Sequence, residues 1–163
     1  MSRSADHVAA HVSLEVRQID QLFATYADLI ERVRTETPTV VEMAALGSVL
    51  HSFYNGLENI FKSVAKGLDR RLPGGAQWHR ELLTQMTQAT AARAAVISPD
   101  LHAKLTDYLG FRHFFRQGYA FLLDWSRLQK LVGPAAGVWA QVKEELGRFL
   151  ASLAPSDSDE PAG

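Results

Sequence analysis

VSLEVRQIDQLFATYADLIERV, residues 12–33, decides the fold class. Val12, Val16, Ile19, Phe23, Tyr26, Ile30 and Val33 step by four and three in strict alternation, and Leu22 and Leu29 widen the stripe. That period is the seam of a helix packed along antiparallel neighbours, and it excludes the two-residue alternation of a strand. Helix is expected from about residue 5 to 35.

Outward from that segment the pattern repeats. Thr37 and Pro38 read as an N-cap and first helical residue. Behind them Val41, Ala45, Val49, Phe53, Leu57, Ile60, Val64 and Leu68 form a second stripe reaching residue 69. Two such helices joined by a tight turn make an antiparallel hairpin. Leu72-Pro73-Gly74-Gly75 is a break. A shorter helix is expected over 76–90, and the Ala/Thr-rich composition of 87–97 favours helix although no apolar period runs through it. Ser98-Pro99-Asp100 starts a fourth helix with cap, proline and first-turn acid. Asp124 is placed to cap a short helix over 125–132, with Trp125 as its packing anchor; Gly133-Pro134 then breaks before a last helix to residue 153. The expectation is an all-α, up-and-down helical bundle of four to five main helices over residues 1–153, with a disordered acidic tail at 154–163.

Composition narrows the function classes. With no cysteine, disulfides and thiolate metal sites are excluded. Hydrophobic residues make up 47% and charged residues 21%, the balance of a globular protein. No apolar run reaches the ~18 residues of a membrane span, and the N-terminus lacks a signal-peptide core, so a cytoplasmic protein is expected. The net charge is -1, yet Asp157, Asp159 and Glu160 lie in the tail; the body carries 17 basic and 15 acidic residues, or +2. A nucleic-acid role must therefore rest on a local patch. His7 and His11 have metal-ligand spacing but no third ligand nearby, so they read as an exposed pair; no metal and no cofactor are expected.

Residues 108–125, YLGFRHFFRQGYAFLLDW, carry a more specific signal. The stretch resembles the signature of the HepT-like branch of the HEPN superfamily, in which Arg, four residues, His, one residue and Tyr recur. Similarity extends to HSFYNGLENIFKSVAKGLD at 51–69, WHRELLTQM at 78–86 and LDWSRLQKLV at 123–132. The resemblance implies a homodimer with two motif copies in a shared cleft, metal-independent RNA cleavage, and a toxin restrained by a small nucleotidyltransferase (MNT) antitoxin that can adenylylate the motif tyrosine. It makes Arg112 the motif arginine and Tyr119 the catalytic and modification tyrosine, makes Arg112, His113 and Arg116 candidates for RNA contact, and makes Asn55 and Glu58 candidates to line the cleft. The family histidine position is Gln117. Cleavage needs a base for the 2′-OH proton and an acid for the leaving oxygen, and histidine suits both. An amide only orients or hydrogen-bonds, so activity is expected to be impaired unless His113 or His79 supplies an imidazole across a dimer. On a regular helix Arg112, Arg116 and Tyr119 fall within about 60° of one another, whereas Gln117 points about 140° from Arg112. The alternative is a non-catalytic dimeric helical module that binds an MNT-type antitoxin or RNA. Phe111, Phe114 and Phe115 are expected in the core or a dimer interface.

Overall fold

The computed structural model describes residues 2–117 and 123–154, with the side chains of residues 116 and 117 outside that description. Within it the chain is an all-helical bundle. The elements are α1 (Arg3–Thr25), α2 (Ala27–Arg32), α3 (Val40–Val64) extended by a π turn (Ala65–Asp69), α4 (Trp78–Gln85), α5 (Pro99–Gln117) and α6 (Trp125–Leu153). The acidic tail from residue 155 lies outside the described residues.

Helix α3 is the hub, packed against α1, α4, α5 and α6. Its Phe53 is fully buried. The ring meets Phe23 of α1, Tyr108 of α5 and Trp139 of α6 edge-on, at centroid distances of 5.3, 5.6 and 6.0 Å. Edge-to-face pairs of this kind add to the burial of the rings themselves, so one residue couples four helices. Helix α1 runs antiparallel to α3, with Ile19 on Gly56 and Val8 on Gly67. A Cβ at Gly67 would come within 2.5 Å of Val8 Cγ2, so only glycine permits this approach.

Four boundaries depart from the sequence reading, each for a visible reason. The expected 5–35 helix is interrupted at Tyr26. Thr25 Oγ1 donates to the Gln21 carbonyl at 2.8 Å, a back-bond that bends helices. The cap of α3 is Thr39, not Thr37: Thr39 Oγ1 accepts from the Glu42 amide and Glu42 accepts from the Thr39 amide, a reciprocal capping box. Residues 87–97 are not helical. Buried Arg93 ties them to Asp69 through two 2.7 Å bonds and also donates to the carbonyls of Gln85, Gln88 and Ala94. Gly133-Pro134 does not break the last helix; α6 runs unbroken from Trp125 to Leu153. Pro134 denies a donor to the Lys130 carbonyl and crowds that turn. The neighbouring Leu131 carbonyl accepts from Tyr108 Oη at 2.7 Å, which ties α5 to α6 beside the proline.

The expected caps Ser98 and Asp124 are in place. Ser98 Oγ accepts from the Leu101 amide and donates to Glu145 of α6, and Asp124 accepts from the Ser126 amide. Among the described residues no helix is long and apolar enough to cross a membrane.

Candidate functional site

Three helices converge on one carboxylate. Glu58 lies in α3 one turn beyond Asn55 and one turn before Lys62, so i, i+3 and i+4 spacing puts them on one face. The packing of α5 on α3 brings Arg112 over that face, and α4 supplies His79 from the side. Glu58 is 2% exposed and Arg112 9%. Arg112 Nη1 donates to Glu58 Oε2 at 2.8 Å, and Arg112 Nη2 reaches Asn55 Oδ1 at 3.4 Å. His79 Nδ1 sits 2.7 Å from the same Glu58 Oε2, and Lys62 Nζ lies 3.8 Å from Glu58 Oε1.

The bonding fixes the chemistry of the ring. Glu58 Oε2 already accepts from Arg112, so the hydrogen shared with His79 sits on Nδ1, and the 3.3 Å approach of Arg112 Nη1 to Nδ1 is a contact between two donors. In the neutral ring a carboxylate-held Nδ1–H leaves Nε2 with the lone pair. The His79 side chain is 27% exposed, so the site presents an oriented imidazole to solvent beside a buried guanidinium. The ring of its neighbour Trp78 lies against it, tilted by 31° at a centroid distance of 3.6 Å, and receives Lys62 Nζ over its face at 4.6 Å. One carboxylate faces a guanidinium and an ammonium, so the cluster keeps positive charge for an anionic ligand. Burial, reinforced by the charge of Glu58, pushes the Tyr54 hydroxyl well above its ordinary range, so this phenol stays neutral.

The residues read from sequence are thus partly united. Arg112, Asn55 and Glu58 form one cluster. His113 and Phe114 are exposed, Phe111 and Phe115 half-buried. Arg116 and Gln117 belong to the backbone of α5, but their side chains lie outside the described residues, as does Tyr119 entirely. His79 corrects an expectation: considered as a group supplied across a dimer, it stands beside Arg112 in the same chain. Lys62 was not singled out, although its place one turn after Glu58 was the signal. Among the described residues no group of three His, Asp or Glu is placed to hold a metal ion.

A family model described as HepT-like protein matches residues 45–153, about two thirds of the chain and every member of the cluster. Neither the curated proteins nor the solved structures compared with the chain give a match.

Proposed function

Because the chain belongs to the HepT-like family, we propose that it is the RNA-directed, toxin-type member of a toxin–antitoxin pair and that His79 provides the proton transfer that Gln117 cannot. The reading is supported by one observation above all: the 2.7 Å bond from His79 Nδ1 to a carboxylate that also holds Arg112. Nε2 of His79 takes the proton of an RNA 2′-OH. The O2′–P bond then forms and the P–O5′ bond breaks. The proton passes to the departing 5′-oxygen, leaving a 2′,3′-cyclic phosphate. Arg112 steadies the phosphoryl oxygens, a task its planar fork suits. The protein works as a homodimer restrained by an MNT-type antitoxin, with Tyr119 as the residue that antitoxin adenylylates.

The second reading is a non-catalytic dimeric module that binds such an antitoxin or RNA, and it is favoured by Gln117 and by the occupation of Arg112 by Glu58. Cleavage of a single-stranded oligoribonucleotide separates the two. The enzyme reading expects wild type to release cyclic-phosphate ends and His79→Ala to lose about 100-fold or more in rate, with its circular dichroism unchanged. Inert wild type that Gln117→His activates identifies a decayed enzyme in which His79 does no chemistry. Inactivity of both leaves the binding module.

A further inference from the structure

A second feature lies at the other side of Lys62. A groove of about 760 Å³ runs between α1 and the C-terminal part of α3 with its π turn. Arg3, His7 and His11 line one wall; Lys62, Lys66 and Arg70 line the other. Both sets step by four residues, so each is a ladder on one helix face about 12 Å long. Since α1 and α3 are antiparallel, Arg3 stands opposite Arg70 and His11 opposite Lys62. Arg70 Nη2 reaches Ser4 Oγ at 3.2 Å, while Asn59 reaches Glu15 at 3.4 Å at the other end.

Four formal cations and two imidazoles therefore face one carboxylate, Glu15, in a chain whose net charge is only -1. The backbone is specialised here as well. The Ala65–Asp69 turn is a π turn, a device concentrated at functional sites. Arg70 is the sole non-glycine residue with positive φ among the described residues, at 56°. Arg70 closes the π turn as its left-handed cap, its amide donating to the Ala65 carbonyl. The effect is to turn the guanidinium back over the start of α1.

We infer that this two-walled cationic groove binds the sugar–phosphate backbone of single-stranded RNA. Charge in two ladders suits a linear polyanion better than a compact one. Lys62 lines the groove and lies 3.8 Å from Glu58, so the groove adjoins the His79–Arg112 cluster. Helix α1 lies outside the residues matched by the family model, and half the groove is built from it.

The inference rests on the RNA reading above, so binding is measured apart from cleavage. The probe is a labelled 2′-O-methyl single-stranded oligoribonucleotide, which lacks the attacking hydroxyl. Fluorescence anisotropy across a salt series is expected to give an Arg3→Glu, Lys66→Glu double variant with Kd raised about tenfold or more and a log–log salt slope shallower by about 1.4, roughly 0.7 for each lost phosphate contact. Lys130→Glu, on the exposed face of α6, binds as wild type does. Unchanged affinity in the double variant, or an equal loss in Lys130→Glu, overturns the groove. Tighter binding of a duplex of equal length, or of an acidic peptide in place of RNA, overturns its ligand. RNA held by the groove with no cleavage of ordinary RNA instead removes the catalytic reading and leaves the groove standing.

Discussion

Glu58 Oε2 and His79 Nδ1 lie 2.7 Å apart, across the gap between α3 and α4. The bond sets the tautomer of the imidazole and the direction in which its free nitrogen points. Glu58→Gln preserves the shape of the side chain and removes the charge that holds Nδ1–H. We expect it to lower kcat about 100-fold or more with KM nearly unchanged. Steady-state kinetics on an RNA substrate check this, and a KM effect with intact kcat would show that Glu58 only packs.

Phe114 is half exposed, at 51%, on α5 beside Phe111 and Leu123. An aromatic ring of this size left in water fits the contact face of a homodimer. If the homodimer proposed above forms through this face, Phe114→Glu gives a monomer at micromolar concentration without loss of helix. Light scattering on wild type and variant decides it; a monomeric wild type removes the dimer altogether.

Asp20 joins α1 to α6 through Lys143 Nζ at 3.0 Å and Trp139 Nε1 at 2.8 Å. The hydrogen bond from Lys143, then that from the Trp139 indole, holds the carboxyl below its ordinary range. A carboxylate favoured in the folded state stabilises it above the usual carboxylate pKa, and that contribution is lost as pH falls through the folded value. Between pH 6 and pH 3 the urea midpoint of wild type should therefore fall further than that of Asp20→Asn. Parallel pH profiles for the two proteins would refute it.

Tyr108→Phe removes the hydroxyl that serves Leu131 next to Pro134. The cost expected is about 0.5–1.5 kcal/mol, the net worth of one hydrogen bond, because the Leu131 carbonyl still has the amide one turn on in the unbroken helix. Chemical denaturation measures it.

Helix was legible wherever an apolar stripe ran, as from Val12 to Val33, because burial of one face is what makes those segments helical. Boundaries were legible only where the cap competes with nothing. Thr37-Pro38 and Thr39-Val40-Val41-Glu42 offered rival starts, and the two-way capping box prevailed. Gly133-Pro134 reads as a break because both residues disfavour helix locally, whereas burial of Val132, Ala135 and Val138 carries α6 through them. Arg112, Asn55 and Glu58 were found through family pattern, and their juxtaposition needed the packing of α5 on α3. His79 was harder still: nothing in the local period of α4 says that its ring meets a carboxylate 21 residues earlier.

Arg93 ends with consequences for how the molecule breathes. Its side chain gathers Asp69, Gln85, Gln88 and Ala94 into one knot, while the amides of Val96 and Ile97 both rest on the Met86 carbonyl. A segment without helical periodicity is thereby tied to the end of α3, and it is expected to open as a block. In hydrogen–deuterium exchange Val96 and Ile97 should share one opening free energy, and Arg93→Ala should release both together while the amides of α6 stay protected. The loop that composition marked as a weak helix is then a cooperative unit, with its stability vested in a single guanidinium.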